Sequence, residues 1–154
     1  MSAPVLAIEA ASDADLPALH ALERRCHSHP WNLRHFASAL RDERTRVTLL
    51  RTSGELLGYA VAQVATDEMH IHNLVVSPGR RREGLGRRLL EDALSWGAAA
   101  GARRVFLEVR QSNVAALELY RGAGFAAVAV RRGYYTRPPE DALVLSRELR
   151  GPDP

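Results

Sequence analysis

The sequence predicts an α/β fold in which a single mixed β-sheet carries helices on both faces. Three observations lead there. Extended apolar runs and helical-period runs interleave along the chain instead of segregating into blocks. The run Met69–Val76 passes through the turn Ser77-Pro78-Gly79 and a glycine-bearing basic segment straight into a long amphipathic helix. With 154 residues, 46% of them hydrophobic and 25% charged, the chain has the size and balance of one globular domain with a real core. Residues 1–150 read as that domain and 151–154 as a loose tail.

Each element follows from local signals. Val5–Ile8 is a short first strand. Ser12 with Asp15 three residues later reads as a capping box, and Leu16, Leu19, Leu22 and Cys26 mark the buried face of the helix it opens. Asn32 reads as a second cap, with Trp31 and Phe36 as its hydrophobic staple and a helix running to about Arg41. Val47–Leu50 and Leu57–Val64 are strands joined through the hairpin turn Ser53-Gly54. Met69–Val76 follows, then a helix with Leu85, Leu89, Ala93 and Trp96 on one face and Gly101 as its stop. Val105–Val109 is a strand, Asn113–Arg121 a helix, Phe125–Val130 a strand and Ala142–Leu145 the last one, leaving Tyr134 and Tyr135 on a turn.

Composition narrows the function. No apolar run approaches the roughly 20 residues of a membrane helix, and the N-terminus lacks a charged-then-apolar signal. The single Cys26 has no internal disulfide partner, which fits a reducing, cytoplasmic setting, and it reads as a small apolar packer. The net charge of +3 is mild for a nucleic-acid binder. Outside the cluster Arg80, Arg81, Arg82, Arg87 and Arg88 the arginines are scattered, so a phosphorylated small molecule explains the cluster more economically than a nucleic acid does.

That cluster sits where a strand delivers the chain to a helix start. The first helical N–H groups lack intrahelical partners, and the helix dipole adds partial positive charge there. Gly84 and Gly86 keep side chains clear of the backbone, so the segment predicts a pyrophosphate cradle. The lysine and hydroxyl residue of a P-loop are missing, and Leu89 fails the third glycine of a dinucleotide fingerprint. By itself the pattern also suits a helix that opens on two glycines and solvated arginines.

Further along, alternation puts Glu108 and Phe106 on one face of their strand and Val105, Leu107 and Val109 on the other. A carboxylate so placed is drawn partly out of water, which suits a proton acceptor; on the residues alone a strand glutamate paired with Arg110 or another arginine is the plainer reading. Tyr120 shares a helix face with Ala116 and Leu117, as a core aromatic would. Asn113 caps its helix. His70 and His72 lie on one strand face, where half-solvated polar alternation accounts for them better than a metal does. His27, His29 and His35 give no better metal site.

Taken together, R-x-x-G-x-G over Arg81–Gly86, then Leu107-Glu108-Val109-Arg110, Ser112-Asn113, Ala116–Tyr120 and Gly124-Phe125 resemble the GNAT acetyltransferase superfamily. His29-Pro30-Trp31, Arg131–Tyr135 and Glu140-Asp141-Ala142 make the chain similar to its bacterial ribosomal-protein-alanine N-acetyltransferases. The resemblance implies a GNAT fold whose central strands, ending at Val76 and Val109, splay apart. It implies acetyl-CoA as co-substrate and no metal. The backbone of Leu74, Val75 and Val76 would hold the pantetheine arm, with Asn113 adding a hydrogen bond. Arg82, Glu83, Gly84, Leu85, Gly86 and Arg87 would hold the pyrophosphate. Glu108 would be the general base and Tyr120 the general acid, in a direct transfer within a ternary complex. Trp31, Tyr134 and Tyr135 would line the peptide groove, and the acceptor would be the N-terminal alanine of the eighteenth small-subunit ribosomal protein. Gly133 stands where that group commonly has Asn, and the stretch from Tyr135 to Asp141 is short, which bears on peptide preference. No membrane and no specific nucleic-acid partner are expected, and the oligomeric state stays open. Lysine side chains or small amines as acceptors, or an acyl-CoA-binding module without turnover, are the alternatives.

Overall fold

The computed structural model describes residues 6–27, 29–81 and 83–149. Val5, Arg82 and the tail 151–154 therefore lie outside the described residues. The elements are β1 Leu6–Ala10, α1 Leu16–Cys26, α2 Leu33–Arg41, β2 Thr45–Thr52, β3 Glu55–Ala65, β4 Glu68–Val76, α3 Leu85–Ala99, β5 Arg104–Arg110, α4 Val114–Gly122, β6 Ala126–Thr136 and β7 Pro139–Glu148. Among the described residues no helix is long and apolar enough to cross a membrane.

The caps explain where the helices begin. Asp15 accepts from the Ser12 N–H at 2.8 Å and from its hydroxyl at 3.2 Å, closing a short 3-10 turn that leads into α1. Asn32 and His35 exchange a reciprocal pair, with the His35 N–H on Asn32 Oδ1 at 3.0 Å and the Asn32 N–H on His35 Nδ1 at 3.1 Å. Imidazole thus fills the place a glutamate takes in the usual box. The staple is present as well, with the Trp31 and Phe36 rings 5.3 Å apart.

The strands form one mixed sheet in the order β1-β2-β3-β4-β5-β7-β6. All neighbours run antiparallel except β4 and β5. Alternation along β3 sorts two cores onto its faces. Tyr59 and Val61 pack with Leu19, Leu22 and Phe36 of α1 and α2, while Ala60, Ala62 and Val64 face α3. Beyond them Leu90 and Ala93 of α3 join Val105 and Leu107 of β5 and Leu117 and Tyr120 of α4. Each fully buried leucine, such as Leu19 or Leu89, contributes about 2 kcal/mol. The approach of α3 to the sheet is close: a Cβ on Gly97 would stand 2.3 Å from Met69 Sδ.

Two irregularities place side chains. In β4, Ile71 pairs with Ala62 but Asn73 pairs with Val61, so His72 is an extra residue. This bulge switches the strand's faces: Met69 and Ile71 lie in the α3 core, whereas Val75 lies in the α1–α2 core. In β6, Arg131 pairs with Ala142 and Tyr135 with Glu140, leaving two unmatched residues around Gly133, whose φ is +65°.

Strand lengths depart from the sequence expectation in the second half. β6 runs to Thr136 and β7 begins at Pro139, so Tyr134 and Tyr135 belong to a strand and not to a turn. The turn itself is only Arg137-Pro138, since Thr136 pairs with Pro139. Arginines 131, 132 and 137, with Gly133, hid this ladder from a hydrophobic-pattern search.

Candidate active site

The parallel ladder between β4 and β5 lasts for three pairs, ending at His70 opposite Phe106. Beyond it the strands diverge, β4 continuing against β3 and β5 against β7. Along Leu74–Val76 the edge of β4 that faces β5 therefore has no strand partner, and its backbone groups are available to an extended ligand. The gap opens into a cleft of about 1440 Å³. Trp31, Leu74, Val75, Val76, Gly84, Leu85, Gly86, Arg87, Glu108, Asn113, Tyr120, Tyr134 and Tyr135 all line it. Glu83 does not appear in that lining and instead takes Arg80 Nε at 3.0 Å.

One end of the cleft is the start of α3. Gly84 sits at φ +78°, a left-handed conformation that only glycine adopts cheaply, and no side chain caps the helix. The first intrahelical bond runs from the Arg88 N–H to the Gly84 carbonyl at 3.2 Å, leaving the preceding N–H groups directed outward. Gly86 has a packing duty as well as clearance: a Cβ there would lie 3.3 Å from Leu119 Cδ2, which brings α3 against α4. Arg80, Arg81 and Arg87 add positive charge along this rim.

Midway, β5 and α4 present the two groups singled out in the sequence. Glu108 is 13% exposed and holds His70 Nε2 at 2.6 Å and Arg131 Nη1 at 3.3 Å. Arg110, its expected arginine partner, is engaged elsewhere. Tyr120 comes up from α4 with its ring 5.5 Å from Phe125 and only 7% of its surface exposed. Burial, reinforced by nearby Tyr135, pushes the Tyr120 phenol well above its ordinary range, so it keeps its proton at neutral pH. Asn113 caps α4 through the Ala116 N–H at 3.2 Å while also lining the cleft.

The opposite end holds a carboxylate that the sequence did not reveal. Glu23 is 1% exposed on the inner face of α1, one turn on from Leu19. His27 Nδ1 lies 2.6 Å from its Oε1, the Tyr59 hydroxyl donates to the same oxygen, and the Trp31 N–H donates to Oε2 at 2.9 Å. Asn73, turned inward past the bulge, donates to both oxygens at 3.2 and 3.4 Å. Burial alone would push Glu23 up, but these donors more than offset it and hold the carboxyl at about 2. Glu23 therefore ties β3, β4 and the loop bearing Trp31 into one unit. A glutamate between Leu22 and Arg24 resembles any surface position, and the polar partners that mark it are scattered over fifty residues.

The far rim is set by Arg110. Its guanidinium donates to the Pro138 carbonyl at 3.0 Å and the Arg137 carbonyl at 3.1 Å, pairs with Glu140 at 3.3 Å, and lies 4.1 Å from the centre of the Tyr135 ring. Burial pushes the Tyr135 phenol up to about 12. Glu140 also takes the Ser112 N–H at 2.6 Å, which fastens the β6–β7 turn to the segment before α4. The Gly133 irregularity lets the consecutive Tyr134 and Tyr135 both reach the cleft, their rings perpendicular and 5.0 Å apart. Cys26 lines the cleft too, its thiol pushed up by burial. Among the described residues no three His, Cys, Asp or Glu side chains converge as a metal site.

Comparison with known proteins agrees with this architecture. Residues 16–125 match the Acetyltransferase (GNAT) family. Over 141 residues the chain is 38% identical to the [ribosomal protein bS18]-alanine N-acetyltransferase of Escherichia coli, spanning 90% of this chain and 95% of that protein. It is 36% identical to the N-alpha-acetyltransferase RimI of Mycobacterium tuberculosis over 127 residues, 80% of this chain and 78% of that one. The crystal structure of the Escherichia coli ribosomal-protein-S18-alanine N-acetyltransferase superposes with a TM-score of 0.88 at 36% identity, covering 97% of both chains. By sequence, by sheet order and by its splayed strand pair, the chain belongs to the GNAT acetyltransferase family.

Proposed function

We propose that the protein is an acetyl-CoA-dependent N-alpha-acetyltransferase whose acceptor is the N-terminal alanine of the bS18 ribosomal protein. The observation that carries this is the convergence of Glu108, Tyr120, Trp31 and Tyr134 on one cleft, in a chain 38% identical to an enzyme named for that reaction. The residues fit the co-substrate: the strandless edge of Leu74–Val76 suits an amide-bearing arm, and the open start of α3 with Gly84, Leu85, Gly86 and Arg87 suits a pyrophosphate. Arg82 belongs to the same turn by resemblance, and Glu83 serves it by holding Arg80. When bound, acetyl-CoA supplies an activated acetyl thioester.

The chain's own groups do the rest. Glu108 Oε accepts a proton from the substrate ammonium, directly or through one water, and leaves a neutral amine in the cleft. A backbone N–H at the end of β4 faces the carbonyl that the amine attacks. Tyr120 gives its phenolic proton to the departing sulfur as the C–N bond forms and the C–S bond breaks, and the acylated nitrogen then sheds its remaining excess proton, which returns through solvent to the Tyr120 phenolate. Asn113 steadies the arm, while Trp31, Tyr134 and Tyr135 shape the groove for the acceptor's first residues. Closure of both substrates in one cleft supplies much of the acceleration.

The test is acetyl-CoA with two peptides: one copying the alanine N-terminus, one N-terminally blocked and carrying internal lysines, read by mass spectrometry. The chain contains no lysine, so acetylated lysine can only come from the acceptor. Acetylation of the free alanine amine alone is expected. Lysine acetylation alone would replace this acceptor with a side chain, and binding of acetyl-CoA without transfer to either would leave small amines or a non-catalytic module.

A further inference from the structure

Glu108 is one end of a longer polar array, which meets the cleft at Glu108 and His72. His70 Nε2 lies 2.6 Å from Glu108 Oε2, and the His70 and His72 rings are 4.3 Å apart. His72 Nε2 lies 2.9 Å from Gln63 Oε1, and Gln63 Nε2 donates to Asp42 at 3.1 Å. The array runs across β5, β4 and β3 to the end of α2, on the sheet face opposite α3.

Its partners dictate where protons sit. Gln63 spends its amide on Asp42 and offers only its oxygen, so His72 carries its proton on Nε2. Surrounding protein, with the adjacent His70, lowers the proton affinity of His72 and keeps that ring neutral near pH 7. A carboxylate only accepts, so His70 likewise presents an Nε2–H to Glu108. Position adds to chemistry. His70 and Phe106 are the last registered pair before β4 and β5 part, and Glu108 is the next residue beyond Phe106 on the same face. The His70–Glu108 bond is thus the first cross-strand contact past the apex of the gap. Glu108 and His72 both line the cleft, and it is Glu108 that His70 contacts through a hydrogen bond. Arg131 is the weaker holder: it is 55% exposed, 3.3 Å away, and its guanidinium lies 4.7 Å from the Tyr134 ring centre.

We propose that His70 is the positioning residue for Glu108, donating its Nε2–H so that the carboxylate stays aimed into the cleft. The inference rests on Glu108 being the base. The groups that face the pair are His72 and Glu68 on β4, Gln63 and beyond it Asp42 from the β3 side, Arg131 on β6, and Tyr135 nearby. Hydrogen bonds to a carboxylate favour its charged form. Removal of the donor therefore moves the acid limb of activity to higher pH.

The experiment compares kcat and kcat/KM against pH for the full chain and for the His70→Ala and His70→Gln variants, with acetyl-CoA Kd measured separately. His70→Ala is expected to lose roughly tenfold in kcat at neutral pH and to move the acid limb upward, at unchanged Kd. His70→Gln retains an N–H donor of similar reach and is expected to recover most of both. An acid limb in His70→Ala that overlays the parent overturns the proposal. So does a weakened Kd with an unmoved limb, which would make His70 only a stitch at the strand fork. A second readout needs no turnover: the His70 Nε2–H, held by Glu108, should exchange slowly by NMR, and that protection should be lost in Glu108→Ala. If the parent transfers acetyl to no amine, the proposed function fails on its own. The imidazole N–H then decides whether His70 donates to Glu108, and an exchange rate equal in parent and Glu108→Ala overturns that.

Discussion

Replacing Glu23 with Gln tests the buried hub quantitatively. Its carboxyl is held at about 2 against a usual 4.5, and each unit is worth 1.36 kcal/mol, so folding gains about 3 kcal/mol from its ionisation. The folded-state value is depressed, so this gain is complete above about pH 5 and is lost as pH falls toward 2. Glu23→Gln keeps the shape but donates where Asn73 and Trp31 also donate, leaving a donor facing a donor in a site that is 1% exposed. Urea unfolding followed by tryptophan fluorescence at pH 7, 5 and 3 should show the variant about 3 kcal/mol less stable at pH 7, with the difference shrinking markedly by pH 3. A difference that stays constant from pH 7 to pH 3 would refute an ionised Glu23. No destabilisation at pH 7 would refute the hub itself.

Other outcomes follow from the same structure. Glu108→Gln should lower kcat by about 10²-fold or more while acetyl-CoA still binds with its parental Kd, as calorimetry would show. Tyr120→Phe should lower kcat with little change in either substrate's KM in steady-state kinetics, since in the proposed role its proton is needed only as the sulfur departs. Gly97→Ala should cost about 1–3 kcal/mol, since its Cβ would meet Met69 Sδ at 2.3 Å. A thermal melt should show this as a drop of several degrees.

How much of this was legible follows from how local each signal is. Both helix caps, the Trp31–Phe36 staple and the strand-turn-helix around Gly84 are short-range patterns, and they appear where the sequence predicts them. Glu108 is singled out by strand alternation together with a motif, and Tyr120 by the motif alone, since its helix face reads as core; both line the cleft. The Glu23 hub was invisible because its donors come from Trp31, Tyr59 and Asn73, and because Asn73 turns inward only through the His72 bulge. A one-residue insertion reverses the inside and outside of everything after it, and period-2 reasoning carries no warning of that. Tyr134 and Tyr135 were misplaced for a related reason: Gly133 interrupts a strand that Arg110 then fastens at its turn.

The three-pair ladder between β4 and β5 also makes the sheet two antiparallel blocks sharing one short seam, the meander β1 to β4 on one side and β5-β7-β6 on the other. A ligand lying along the gap acts as a keystone between them, adding backbone pairing to strands that otherwise have none there. Occupancy at a hundredfold excess over Kd would stabilise the fold by about 2.7 kcal/mol, concentrated at that seam. Hydrogen exchange should then divide the amides by history: those facing β3 or β7 exchange only when their own block opens, while those facing the gap become protected only once the ligand arrives.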